Sequence, residues 1–213
     1  MSEQILEQLG NRKISKTQLY KHAESDLSLV PVLLEGTKSS KATIRYGCGS
    51  VLSDLCKTHP NKLYPYFDNF VSLLDSKHRI LTWNAMAAIS YLTTVDKEKK
   101  FDNIFSKYYS FLDSEYMVTI ANLVGYSAKI ATNKSYLADK IATELLKLQN
   151  LQTTPHISEE CKLVIAQKTI ETFNTLINHV QNKEALAAFV QEHQDSSRIT
   201  LKREAQRFLE KLK

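Results

Sequence analysis

A nine-residue helical phrase recurs along this chain, and it constrains the fold more than any other feature of the sequence. The phrase starts at Ile44, starts again 37 residues later at Leu81, returns more loosely from Val118, and closes the chain from Leu201. In each copy the first, fifth, eighth and ninth residues are mostly apolar or small, so they share one helical face at 100° per residue. Recurrence at such a period is typical of a repeat solenoid, in which each repeat buries its apolar face against its neighbours.

A second repeated signal predicts the corner between two helices of each repeat. Residues 70–76 parallel residues 108–114 almost letter for letter, and both segments end in Asp-Ser. The side-chain oxygens of such a pair can accept the free amides that open the next helix. We therefore predict a helix A, a corner and a helix B in each repeat. The predicted helices are 28–37 and 39–58, 62–74 and 76–94, 101–112 and 114–132, 135–150 and 158–181, and 183–194 and 197–212.

These patterns resemble the HEAT repeat family, with the armadillo repeats as a near neighbour. Residues 44–52 and 201–209 are similar to the family's B-helix phrase, and Asp75 and Asp113 match its corner aspartate. The resemblance implies an all-α fold, a right-handed α-α superhelix that forms a HEAT-like solenoid of about four to five helical hairpins. It implies one domain over residues 1–213, with an N-terminal cap at 1–24 and repeats at 28–60, 61–96, 97–134, 135–181 and 182–213.

The family often arranges an aspartate and an arginine as a ladder between repeats. In this sequence the arginine position holds Arg45, then threonines, then Lys202, while the last aspartate position holds Asp195. Only the last repeat has both charge signs, so we expect no continuous ladder here.

Composition favours a globular protein of the cytoplasm. The chain has 213 residues, of which 43% are hydrophobic and 24% charged, and it holds only five glycines and four prolines. Its three cysteines form no CxxC pair, which is typical of a reduced, intracellular protein. The polar N-terminus does not look like a signal peptide, and no run approaches the ~18 apolar residues of a membrane span. We therefore expect a cytoplasmic location and no membrane partner.

The positive charge is concentrated at one end. The net charge is +5, and residues 196–213 hold six basic residues against two acidic ones. Uniform basicity would have indicated nucleic acid binding. This distribution supports a nucleic acid partner only weakly.

The residues predicted to point outward from the B helices form the candidate binding surface. Aromatic and aliphatic side chains give way to arginines along this stripe, which suits a peptide or helix laid in a groove. We therefore predict a non-catalytic protein–protein interaction adaptor or scaffold that binds its partner on a concave face. The two alternatives are a helical phase that is wrong by one position and an N-terminal segment that folds over the stripe. The predicted contact residues are Tyr46, Trp83, Ala87, Ile120, Val124, Arg203 and Arg207.

An enzymatic alternative comes from the same fold class, which includes the alkylpurine DNA glycosylases. Against it, the middle of the stripe carries few cations, and phosphate contacts by Lys and Arg supply most of the affinity for DNA. Under this alternative Tyr46, Trp83 and Asp54 would hold a damaged nucleotide, and Lys41, Arg45 and Lys57 would contact phosphates.

The sequence offers no pattern for a metal or a cofactor. The six histidines show no HxxxH or HExxH spacing, and no Cys/His quartet occurs. No glycine-rich phosphate loop and no GxSxG motif is present. We therefore predict no metal, no cofactor and no catalytic residue.

Overall fold

The computed structural model describes Ser2–Leu212, with side chains from Gln4 onward. Met1 and Lys213, the end residues of the predicted segments 1–24 and 182–213, lie outside the described residues. The described part is built from α-helices and short 3₁₀ turns, and it divides into two compact units, Met1–Ile104 and Phe105–Lys213. The helices are α1 (Ser2–Gly10), α2 (Lys16–Ser25), α3 (Val30–Gly36), α4 (Ala42–Thr58), α5 (Pro60–Leu63), α6 (Phe67–Leu74), α7 (Arg79–Leu92), α8 (Lys100–Tyr109), α9 (Met117–Asn133), α10 (Ala138–Leu146), α11 (Glu159–Leu176), α12 (Lys183–Gln191) and α13 (Ile199–Glu210).

The predicted helices and the all-α superhelical repeat class are confirmed. Each predicted A or B helix coincides with an observed one, although 3₁₀ turns interrupt or end several A helices. The predicted N-terminal cap consists of two helices, α1 and α2, which both pack on α4. The grouping of the helices into a single domain of five repeats stays a prediction.

In the first unit the B helix α4 packs between α2 and the B helix α7, while α3 packs on α4 and α6 on α7. The core between them is fully buried and includes Leu52, Leu55 and Phe67. Helices α4 and α7 approach closely at Gly49, where a Cβ atom would lie 2.6 Å from Leu81 Cδ2.

In the second unit α11 packs between α9 and α13, and α12 packs on α13 and α10. The sequence left the register of this fourth B helix open. Ser158 settles it as the N-cap, since its hydroxyl accepts the Cys161 amide at 3.3 Å. The buried Thr172 hydroxyl also donates to the Val124 carbonyl at 3.0 Å, which links α11 to α9.

The same serine hydrogen bond closes the corner before four B helices. In each case the serine hydroxyl accepts the backbone amide two residues later, and that residue is the N-cap of the B helix. The oxygen that was expected to come from an Asp-Ser pair thus comes from the serine. The four bonds join Lys41 to Ser39 (3.2 Å), His78 to Ser76 (3.1 Å), Tyr116 to Ser114 (3.2 Å) and Arg198 to Ser196 (3.2 Å).

The side chain four residues after the N-cap reinforces the corner in three repeats. Arg45 donates to the Ser39 carbonyl at 2.7 Å, and Thr82 donates to the Ser76 carbonyl at 3.4 Å. In the last repeat Lys202 lies 3.4 Å from the carboxylate of Asp195, as the retained pair of charges predicted. Each contact stays within its own corner.

The corner bonds reveal that the repeats differ in length. His78 follows Lys41 by 37 residues, whereas Tyr116 follows His78 by 38. A phrase aligned at a constant period of 37 is therefore displaced by one residue in α9, which corresponds to a rotation of 100° about the helix axis.

A buried carboxylate holds the start of α8. Asp96 is only 7% exposed and accepts the amides of Lys100 (2.8 Å) and Phe101 (3.0 Å). It also accepts a hydrogen bond from the Tyr64 hydroxyl at 2.5 Å, which ties α8 to the preceding A helix. Burial, followed by the hydrogen bond to Asp96, raises the pKa of Tyr64, so this hydroxyl stays protonated as a donor.

Asp96→Ala should therefore lower the free energy of unfolding by about 2–3 kcal/mol, because two amides and a buried hydroxyl lose their acceptor. Urea unfolding followed by circular dichroism measures this loss. Glu98→Ala in the same loop is the matched control, because its side chain is 68% exposed and lies 3.8 Å from Lys100. A surface pair of this kind contributes about 0–1 kcal/mol. Equal effects of the two substitutions would contradict the assigned role of Asp96.

Gly125 and Gly49 provide a second test of the packing. A Cβ atom at Gly125 would meet no atom within 4 Å, so Gly125→Ala should stabilise the protein by about 0.5–1 kcal/mol through helix propensity alone. Gly49→Ala gains the same propensity but forces Leu81 to move, at a cost of about 1–3 kcal/mol. The midpoint of thermal unfolding should be higher for Gly125→Ala than for Gly49→Ala. The reverse order would contradict the close approach of α4 and α7.

Candidate functional site

A groove of about 740 Å³ lies in the first unit, between the α1–α2 loop and the outward faces of α4 and α7. Its volume is within the range of about 300–1,000 Å³ that ligand sites occupy. It combines aromatic, aliphatic and basic side chains, and no described residue that lines it is acidic. The lining residues are Leu9, Arg12, Lys13, Ile14, Ser15, Lys16, Gln18, Thr43, Tyr46, Gly47, Ser50, Ile80 and Asn84.

Tyr46 is the aromatic side chain of the groove, and its neighbours hold it in place. The Arg45 guanidinium lies 4.7 Å from the ring centroid and donates to the Tyr46 hydroxyl at 3.3 Å. The His78 ring meets it edge-on with 6.1 Å between centroids. Partial burial, together with the charges of Arg45 and Lys77, lowers the pKa of His78, so this ring is neutral at pH 7. The aromatic surface is therefore preorganised.

Helix α7 contributes an aliphatic and an amide group to the opposite wall. Ile80 is 40% exposed although it is a large apolar residue. The Nδ2 atom of Asn84 is shielded from solvent and has no hydrogen-bond partner in the structure. This wall thus offers apolar contact through Ile80, whereas the Asn84 Nδ2 atom lies beneath the surface.

The loop that forms the third wall is held by a left-handed residue. Arg12 has a φ of 58°. Its amide donates to the Leu9 carbonyl at 3.0 Å, and the Lys13 amide donates to the Gln8 carbonyl at 2.8 Å. This is a Schellman helix terminus, in which the left-handed position usually holds glycine. Arginine there costs about 1 kcal/mol, which the attraction of a cation to the helix C-terminus offsets by only about 0.3–1 kcal/mol.

The three cations of the groove have no acidic partner in the described part of the chain. Arg12, Lys13 and Lys16 are exposed and take part in no salt bridge there. Lys16 is also the first residue of α2, where the helix dipole disfavours a positive charge. By contrast, Lys38 in the same unit is 2.7 Å from Glu35. None of the three cations is neutralised by a salt bridge within the described residues, although Lys16 also lines a neighbouring depression together with Asp54.

The predicted contact residues have different locations. Tyr46 lines the groove, and Trp83 is half-buried on α7 beside Asn84 without lining it. Ala87 is only 5% exposed, so its expected exposure is wrong. In the second unit Arg203 and Arg207 are exposed as expected, and Arg207 pairs with Glu204 at 3.0 Å. A continuous stripe formed by all of these residues stays a prediction.

The expected exposure of Ile120 and Val124 is wrong. Both are 0% exposed and belong to the core of the second unit. The cause is the 38-residue repeat, because the displaced alignment placed the buried face of α9 on the outside. The open alternative of a phase error by one position is thus correct for this helix.

Counting from each N-cap gives the positions that correspond to Tyr46 and Ser50 of α4. In α9 they are Ala121, which is only 9% exposed, and Gly125, which is exposed. In α11 they are Leu163 and Gln167, which are half-buried. Residues 70–76 and 108–114 already repeat at 38 residues, so the corner segment carried the signal for this register. For the cations of the α1–α2 loop no local pattern indicated that they lie near Tyr46.

The residues cast in the glycosylase alternative do not share one pocket. Asp54 is exposed on α4 and lines a separate depression with Lys16, Thr17, Tyr20, Lys57 and Thr58. Tyr46 belongs to the groove instead. No group of three or more metal-ligating side chains occurs among the described residues. Within the same residues, no helix is both long enough and apolar enough to cross a membrane.

Comparisons with solved structures define the class of protein. A designed armadillo repeat protein matches with a TM-score of 0.62 and 20% identity over 98% of this chain and 90% of its own. A second, in complex with the peptide (KR)4, matches with a TM-score of 0.66 and 16% identity over 99% and 92%. An engineered protein from a structural genomics consortium has a TM-score of 0.58 and 15% identity over 96% and 86%.

The chain therefore has the helical-repeat fold of the armadillo and HEAT class. No protein-family model matches it, and no curated protein matches it by sequence.

The single tryptophan of the chain allows the outward face of α7 to be tested. Because Trp83 is half-buried, acrylamide should quench its fluorescence in the folded protein. The slope of the Stern–Volmer plot should be lower than for the urea-unfolded chain. A slope indistinguishable from zero would mean that the indole is inaccessible, and it would remove Trp83 from any partner surface.

Proposed function

We propose that this chain is a non-catalytic repeat scaffold and that the groove of the first unit binds a peptide segment of a partner protein. The observation that carries the proposal is the groove itself, in which a fixed aromatic ring and an exposed isoleucine face a basic loop. Anchoring side chains of this kind, surrounded by polar groups, are typical of peptide-recognition surfaces. A neighbour of the same fold is a peptide complex, which supports this type of ligand.

The chemistry of the lining favours binding over catalysis. The described lining holds serine, threonine, lysine and tyrosine side chains, but it supplies no histidine, cysteine, aspartate or glutamate, so no imidazole or carboxylate of the lining can activate its hydroxyls. Asp54, the acid of the glycosylase alternative, lies outside the groove. The repeat fold provides a rigid surface on which such a groove can be kept in shape.

The test begins with selection of random peptides of about twelve residues, displayed on phage, against the immobilised protein. Selected peptides are then titrated against Ile80→Gln. We expect their affinity to fall by about tenfold, or 1.4 kcal/mol, because an exposed apolar contact is lost. Anisotropy of a labelled peptide gives the dissociation constant.

Val118→Gln is the matched control. Val118 is 46% exposed and, like Ile80, is the second residue of its B helix, but it does not line the groove. We expect this variant to bind the selected peptides as the unmodified chain does. If no peptide is enriched, or if both variants bind equally well, the groove is not the docking site.

A further inference from the structure

We propose that the peptide bound in this groove is acidic, with carboxylate side chains on either side of an apolar residue. This inference rests on the proposed function and adds the chemistry of the partner. It follows from Arg12, Lys13 and Lys16, which no salt bridge neutralises within the described residues, and from the absence of any acidic residue in the described lining. Complementary charge is a general means by which a surface selects its partner.

The fold accounts for the position of these cations only in part, through the attraction of a cation to the C-terminus of α1. Arg12 occupies a left-handed position that glycine would fill with less strain. Lys16 opens α2, where a carboxylate would be favoured instead. In the free protein the groove is therefore a site of unbalanced positive potential, and an acidic ligand would supply the missing partner.

The apolar part of the groove favours a peptide over a nucleic acid. Tyr46 and Ile80 present surface that an aliphatic or aromatic side chain can cover. Binding of nucleic acid draws most of its affinity from Lys and Arg contacts to phosphates, whereas the described lining of this groove combines three basic residues with apolar surface. A short acidic segment with one apolar anchor uses both parts of the lining.

The same fold does not dictate the sign of the ligand. The designed neighbour forms a complex with (KR)4, a basic peptide. In this chain Arg12, Lys13 and Lys16 would repel such a ligand. The side chains on the groove, and not the helical framework, thus set the charge of the partner.

The experiment uses the full chain and the peptides selected on it. We expect peptides whose binding depends on Ile80 to carry net negative charge. Resynthesised versions with asparagine and glutamine in place of the acids should bind at least tenfold more weakly. The double variant Lys13→Gln/Lys16→Gln should show the same loss for the acidic peptides. Raising NaCl from about 50 to about 200 mM should weaken binding several-fold, because exposed charges are screened.

Two controls separate charge from folding. The double variant Lys21→Gln/Lys62→Gln removes two exposed charges of the same unit outside the groove. Its dissociation constant for the acidic peptides should stay within about twofold of that of the unmodified chain. Arg12→Gly relieves the left-handed residue, so it should melt no lower than the unmodified chain and yet bind the acidic peptides more weakly.

Three results would overturn the inference. Selected peptides that are neutral or basic, yet still depend on Ile80, would refute acidic recognition while leaving the peptide-binding function intact. Amide-substituted peptides that bind as tightly as the acidic ones would do the same. A labelled thymidine oligonucleotide of about twenty nucleotides that binds more tightly than any selected peptide, and depends on Lys13 and Lys16, would assign the cations to nucleic acid.

Discussion

The serine hydrogen bond at the corner between helices is the contact on which the remaining geometry depends. At Ser39, Ser76, Ser114 and Ser196 the hydroxyl accepts the amide of the next N-cap residue, and so fixes where each B helix begins. The starting residue determines the rotation of every later side chain about the helix axis. The corner bond therefore marks the register of each B helix, and the burial of several apolar side chains, at about 1.5–3 kcal/mol each, outweighs this single bond of about 1 kcal/mol in holding that register.

The helices themselves were predictable because their signal is local. Apolar residues at helical spacing and a repeated corner are sufficient to place ten helices along the chain. The outward surface was predictable only where the period held. It held from α4 to α7, where Tyr46 and Trp83 are partly exposed although Ala87 is buried. It failed in α9, where one additional residue moved Ile120 and Val124 into the core. A periodic pattern thus predicts that a helix forms, but it predicts which face of the helix is exposed only when the first residue of that helix is known.

The basic wall of the groove could not be predicted for a different reason. Lys13 and Lys16 belong to a polar turn that, by sequence, is typical of any solvated loop. Their importance comes from tertiary packing, since α1 and α2 dock on α4 and bring this turn beside Tyr46. The N-terminal segment was expected to cap the solenoid, and its folding over the stripe was left open as an alternative. It also completes a groove that the B helices alone would leave as an open face.

In repeat proteins the helical framework and the side chains that determine ligand specificity occupy different positions of each helix. Packing between helices restricts the residues at the buried positions of each B helix. The outward positions can therefore vary without disturbing the core. Two chains with under a quarter of their residues in common can then share a fold, and the acidic ligand proposed for this chain is opposite in charge to the (KR)4 peptide of the designed neighbour. In this chain the proposed choice rests on Arg12, Lys13 and Lys16, which are exposed side chains outside the buried core. Selection by charge is therefore separable from stability here, because the residues that carry it are not the residues that hold the helices together.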